Sequence, residues 1–241
     1  MTVVSHLAQP DPFEQLLGPE LIRLYGHSIH DLDHDFGPIG TEILMRGPAG
    51  APYEMPTLAF AMAATLGALD RLDNNCIESA SRVVCDGHLF INVHPETLAH
   101  RSRFWDLIGM FGTDGYRAPG EIVFEIVEHS PARESDLPDA LKELRALGFR
   151  IAIDDLGEGM SGLRRLVEVE PDFVKIDRFF INGIDRAPRK RSVVQSIAAL
   201  AESTGASVIA EGIETEDELE VVRDAGVRLC QGYYFGKPRE I

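Results

Sequence analysis

Six short, largely apolar runs, each closed by a polar residue, constrain this chain more than any other feature of its 241 residues. They are Leu89-Phe90-Ile91, Ile122-Val123-Phe124, Ile151-Ala152-Ile153, Phe173-Val174, Val208-Ile209-Ala210 and Val227-Arg228-Leu229-Cys230. Runs of this kind suit strands covered on both faces, as in a parallel sheet. Helical patterns separate them. Leu137, Leu141, Leu144 and Leu147 recur at helical spacing up to Gly148, and a second helix is predicted from about Arg191 to Ser203, ending at Gly205. Thr215-Glu216-Asp217-Glu218 spells a capping box, with Leu219 and Val222 on the buried face and Gly226 past the end. From Leu21 onward the alternation predicts an α/β fold with parallel strands and crossover helices. The length suits one (β/α) barrel. Residues 1–20 hold Asp/Gln-Pro steps and no sustained period, so they are read as an arm or linker remnant ahead of a domain spanning 21–241.

The residues that follow the runs are Asn92, Glu125, Asp154-Asp155, Lys175, Glu211 and Gln231. In a (β/α) barrel all C-terminal strand ends converge on one mouth, so scattered positions become one polar cluster. A single acid after a strand is as well explained as the cap of the next helix. Lys and Gln are poor caps, however, and two adjacent carboxylates exceed what one cap needs. A shared site explains the whole set better. Its carboxylates and amide are hard oxygen donors, which suit Mg²⁺ or Mn²⁺. The formal net charge of −16 opposes attraction to long nucleic acid or anionic lipid, but bound divalent cations reverse the field locally.

Thr41-Glu42-Ile43-Leu44-Met45-Arg46 resembles the motif that names the EAL domain family, with Ile43 in place of alanine. Phe90-Ile91-Asn92-Val93 and Phe124-Glu125-Ile126-Val127-Glu128 resemble the family's asparagine and paired-glutamate strands. Ile153-Asp154-Asp155-Leu156-Gly157 is similar to its Asp-Asp-Phe-Gly turn. Val174-Lys175-Ile176-Asp177, Ala210-Glu211-Gly212-Ile213-Glu214 and Gln231-Gly232-Tyr233 match the later motifs in order, so the resemblance spans about Leu21 to Pro238.

The resemblance implies a modified (β/α)8 TIM-type barrel with its first strand antiparallel. It also implies hydrolysis of one phosphodiester of cyclic di-GMP to linear 5'-pGpG. By analogy, Glu42, Asn92, Glu125 and Asp154 hold one ion and Asp154, Asp155 and Glu211 a second, with Lys175 orienting the attacking water. Glu128 is counted with the catalytic residues as the anchor of the turn after Asp155. Leu44, Arg46 and Gln231 are expected to bind substrate. Arg46 shares a strand face with Glu42 by the period of two, which lets its guanidinium fork onto a phosphate. Family behaviour implies a homodimer formed near the turn after Asp155, and room for sensory or cyclase domains in a longer parent chain. The alternative is a degenerate EAL domain that binds cyclic di-GMP without cleaving it, or serves as a protein-docking module.

Gly157-Glu158-Gly159-Met160-Ser161-Gly162 spells a dinucleotide fingerprint, but Asp154, Asp155 and Glu158 would repel a pyrophosphate. His30-Asp31 and His34-Asp35 are read as solvated loop pairs. His27, Ile43, Glu158 and above all Tyr53-Glu54-Met55-Pro56 depart from the family pattern. Cys76, Cys85 and Cys230 lack metal-ligand spacing and are expected to be reduced, buried thiols. No apolar run approaches the roughly 18 residues of a membrane span and the start has no basic n-region, so no membrane insertion and a cytoplasmic location are expected.

Overall fold

The computed structural model describes residues 18, 21–34, 36–99, 103–113, 116–127, 137–156 and 162–241, apart from the side chains of 155, 162 and 163. The strands are β1 (Arg23–Asp31), β2 (Pro38–Arg46), β3 (His88–Val93), β4 (Ile122–Ile126), β5 (Arg150–Leu156), β6 (Phe173–Ile176), β7 (Ser207–Ala210), β8 (Leu229–Cys230) and β9 (Arg239–Glu240). Strands β2 to β8 pair in sequence order and in parallel. β1 runs antiparallel to both β2 and β8 and so closes the ring, with the reversed first strand that the resemblance implies. The parallel crossovers are helical, with α1 (Pro56–Thr65), α2 (Leu69–Ala80), α3 (Pro95–Ala99), α4 (Arg103–Ile108), α5 (Leu137–Ala146), α6 (Gly162–Val169), α7 (Arg178–Ile181), α8 (Pro188–Thr204) and α9 (Glu216–Asp224) among the described residues.

Several local expectations are met in atomic detail, and others shift. The Thr215 hydroxyl accepts from the Glu218 backbone N–H, and the Glu218 carboxylate accepts in return from the Thr215 N–H, which completes the box that starts α9. Helix α8 begins earlier than predicted, at Pro188, whose missing N–H is no loss in a first turn. β8 is shorter than its apolar run. Val227 donates back to Val222, and Arg228 accepts from Leu32, so neither enters the parallel ladder with β7. The divergent Tyr53–Pro56 segment turns the chain from β2 into α1: the Glu54 carbonyl accepts from Gly47, its carboxylate accepts from the Gly50 N–H, and Pro56 opens the helix.

Two expectations fail. His30 belongs to β1 rather than a loop and stacks on Phe235 with ring centroids 4.5 Å apart, because the strand continues to Asp31 before turning. Cys85 is only partly buried, unlike Cys76 and Cys230, since it lies in the exposed turn between α2 and β3.

Most of the core fills the space between barrel and helices, but a second cluster lies inside the barrel. It comprises Ile29, Phe90, Val123, Ala152, Phe173 and Ile209, with Ile39 and Leu229 packed against them, one residue from each of the eight ring strands. The Phe90 and Phe173 rings meet edge to face at 5.3 Å. Gly40 makes room for them: a Cβ there would lie 2.9 Å from the Phe90 ring and 2.5 Å from the His88 carbonyl oxygen.

Candidate active site at the barrel mouth

Side chains two residues apart on a strand share a face. Counting two forward from Phe90, Val123, Ala152, Phe173, Ile209 and Leu229 gives Asn92, Glu125, Asp154, Lys175, Glu211 and Gln231. The inner apolar layer thus predicts a polar layer directly above it. On β2 the count does not run from Ile39; it runs from Gly40, whose missing Cβ makes room for Phe90, to Glu42, then Leu44 and Arg46.

Lys175 stands at the centre of that layer, 1% exposed. Its Nζ lies 3.1 Å from Glu42 Oε1, 3.1 Å from Glu125 Oε1, 3.1 Å from Asp154 Oδ1 and 2.8 Å from Glu211 Oε1. The rival partner Asp177 is occupied elsewhere, capping α7 by accepting from the Phe179 N–H. Gln231 Nε2 donates to Glu42 Oε2 at 2.7 Å and fixes that carboxylate from the other side. Two glycines let the flanking turns approach. Gly212, after Glu211, holds φ +73° against Arg178, and a Cβ on Gly232, after Gln231, would fall 2.1 Å from the Ile213 carbonyl oxygen.

The charges in this layer do not balance: four carboxylates face one ammonium. Burial works against the charge on Lys175, yet Asp154, Glu125, Glu211 and Glu42 together hold its ammonium well above the usual lysine range. Burial, opposed by Lys175, pushes Glu125 well above the usual carboxylate range and Glu211 up to about 8. For Glu42, Lys175 and Gln231 outweigh burial and hold the carboxyl low. Glu125, though 3.1 Å from the ammonium, has neither oxygen aligned for a hydrogen bond, and Asp154 Oδ1 is in the same position. Orphaned, buried, hard oxygen donors in excess of positive charge fit a divalent cation. Among the described residues, no three His, Cys, Asp or Glu side chains are arranged to hold an ion by themselves, because the carboxylates are drawn in around Lys175.

Two cavities flank the cluster. One of about 350 Å³ is lined by Glu42, Glu211, Gln231, Tyr233 and Arg178, the other of about 520 Å³ by Phe60, Ile91, Asn92 and His94, and Leu44 and Arg46 line both. Arg46 also donates to the Met45 carbonyl at 2.7 Å and lies over the Tyr25 ring. The expected site residue Glu128, the departure Glu158, the turn 157–161 and the side chain of Asp155 lie outside the described residues.

The profile of the EAL domain family matches residues 20–238. This chain belongs to the EAL domain family. The cyclic di-GMP phosphodiesterase RocR of Pseudomonas aeruginosa is 33% identical over 153 residues, covering 63% of this chain and 38% of that protein. The probable cyclic di-GMP phosphodiesterase PdeA of Escherichia coli is 32% identical over 153 residues, covering 63% of this chain and 21% of that protein. This EAL domain therefore spans well under half the length of these curated relatives. Among solved structures, the calcium/cyclic di-GMP complex of Klebsiella pneumoniae BlrP1 superposes with a TM-score of 0.81 at 28% identity, over 92% of this chain and 57% of that one. The PaMucR phosphodiesterase in complex with cyclic di-GMP gives a TM-score of 0.81 at 25% identity, over 93% and 94% of the two chains.

Within this EAL domain the sequence reading missed one member of the polar layer. β1 runs backwards, so the step from Ile29 must be counted the other way, to His27, which stands opposite Glu42 in register. Burial lowers the pKa of the His27 ring, and its Nε2 is buried without a hydrogen bond. His27, one of the departures from the family pattern, is thus a residue of the mouth.

Proposed function

We propose that this EAL domain hydrolyses one phosphodiester of cyclic di-GMP to linear 5'-pGpG with the help of two divalent ions, Mg²⁺ or Mn²⁺. The observation that carries the reading is the excess of buried carboxylate around Lys175, with Glu125 and Asp154 oxygens left without hydrogen bonds. Glu42, Asn92, Glu125 and Asp154 would hold one ion and Asp154, Asp155 and Glu211 the other. When bound, such ions supply an acidified water and charge stabilisation on the attacking and leaving oxygens.

The remaining work falls to the chain's own side chains. Lys175 keeps the inner carboxylates from repelling one another and holds their oxygens to the mouth axis. Gln231 locks Glu42. Arg46 and Leu44, on the ridge between the two cavities, meet the phosphate-ribose ring, and the cavities on either side receive the two bases.

The test is incubation with cyclic di-GMP and Mg²⁺ or Mn²⁺, followed by chromatographic separation of nucleotides. Formation of pGpG that stops with EDTA is the expected result. Tight binding of intact cyclic di-GMP under all metal conditions would replace this reading with a non-hydrolysing receptor.

A further inference from the structure

The larger cavity, about 520 Å³, is walled mainly by apolar side chains, among them Phe60, Leu69, Cys76, Ile91 and Val127. Glu96, which also lines it, buries Oε2 without a hydrogen-bond partner. A carboxylate oxygen held this way is costly unless a ligand supplies a donor. His94 lines the same space and is locked in place from behind. Asp73, 1% exposed on α2, accepts from the His94 backbone N–H at 2.9 Å and from the Thr97 hydroxyl at 2.6 Å. The His94 Nδ1 lies 3.0 and 3.1 Å from the two Asp73 oxygens, and a carboxylate only accepts, so Nδ1 carries the proton that faces it. Among the described residues nothing takes up Nε2, and the Phe60 ring packs on the imidazole at 4.9 Å. The wall that carries Glu96 and His94 is therefore held from behind, with one unsatisfied buried oxygen, Glu96 Oε2, on an otherwise oily slot.

We propose that Glu96, backed by the Asp73-anchored His94, reads the polar edge of a guanine base seated in this cavity. The inference rests on cyclic di-GMP being the ligand and names what selects its base. Guanine offers N1–H and an exocyclic N2–H side by side, and the two oxygens of a carboxylate accept such a pair together. Adenine presents a bare ring nitrogen at the same place, which a carboxylate repels. The −16 charge of the chain gives no general attraction for a nucleotide, so selection falls to local groups of this kind. With the ring proton on Nδ1, His94 accepts at Nε2 from the second N2–H of the base, and its ring fixes the slot's width against Phe60.

The experiment is titration calorimetry of the full chain with cyclic di-GMP and with cyclic di-AMP. Ca²⁺ replaces Mg²⁺ or Mn²⁺, and chromatography confirms that the nucleotide is intact. Glu96→Gln is expected to weaken cyclic di-GMP binding roughly 10- to 100-fold, the range for a hydrogen bond to a charged acceptor, and to narrow the preference over cyclic di-AMP. Glu96→Asp keeps the charge but shortens the reach, and His94→Ala loosens the wall; each should lose less than Glu96→Gln. Cyclic di-GMP affinity within threefold of wild type in both Glu96→Gln and His94→Ala overturns the inference while leaving the proposed substrate standing. A wild-type chain that binds no cyclic di-GMP overturns both.

Discussion

The interior of this barrel holds two adjacent layers built on the same strands and the same faces, two residues apart, and they follow opposite rules. The lower layer, Ile29, Phe90, Val123, Ala152, Phe173 and Ile209, is apolar and satisfied by packing alone. The upper layer gathers Glu42, Glu125, Asp154 and Glu211 around a single Lys175 and leaves carboxylate oxygens without hydrogen bonds. One strand register therefore supplies both stability and chemistry: the floor holds the ring closed, and the mouth carries charge that a stability-driven sequence would not bury.

The largest expected effect comes from removing the ammonium at the centre of the upper layer. Lys175→Met should cut pGpG formation roughly 100- to 1000-fold, as for loss of a preorganised charge in a water-poor site. It should also destabilise the metal-free protein by about 3 to 5 kcal/mol at neutral pH, because it leaves uncompensated buried carboxylates. Urea unfolding in EDTA and single-turnover cleavage measure the two parts; a variant as stable and active as wild type would erase the distinction between the layers.

Phe90→Ala attacks the floor instead. A loss of about 3 kcal/mol or more in urea unfolding is expected, with cleavage per folded molecule nearly kept, since Phe90 packs in the apolar floor against Phe173. Loss of cleavage at full stability would show that the floor does more than support.

A smaller effect is a pH slope confined to the mouth. Glu211 has a folded pKa raised to about 8 by burial, from 4.5, so the folded state binds the proton more tightly. Its contribution is fully present below about pH 4.5 and is lost as pH rises towards about 8, so the metal-free protein should melt lower at pH 8.5 than at pH 5.5. Glu211→Gln should flatten that slope, and Mg²⁺ or Mn²⁺ should oppose it by favouring the ionised form; an unchanged slope in Glu211→Gln assigns it elsewhere.

The smallest effect compares closed and open packing through thiols. Burial pushes Cys230 up to about 12 and Cys76 well above the usual thiol range, whereas Cys85 is partly exposed. At pH 8 an alkylating reagent followed by mass spectrometry should mark Cys85 first. Rapid marking of Cys230 would mean that the seam between β1 and β8 opens.

Much of this was legible in the sequence because parallel strands buried on both faces leave apolar runs, and the polar residue closing each run is forced to the mouth. Glu125, Asp154, Lys175, Glu211 and Gln231 were found that way, and Glu42 only through its motif. That Lys175 would stand within 3.1 Å of four carboxylates at once was not legible, since its partners come from four other strands. His27 was missed because the count reverses on an antiparallel strand, and the clue was its distance from Ile29. Asp73, His94 and Glu96 carry no local signal, because their meeting depends on how α2 packs against the turn after β3.

The reversed first strand has a consequence for wiring. Arg23 pairs in register with Arg46, at the end of β2 that opens on the cavities, and β9 lies beside it, with Arg23 forked onto Glu240 at 2.8 and 2.9 Å. In an all-parallel barrel the chain enters at the floor, far from the chemistry. Here β1 begins at the rim, beside β9, at the same end of the ring as the buried carboxylates, so the strand that closes the barrel also brings its first residues to the mouth.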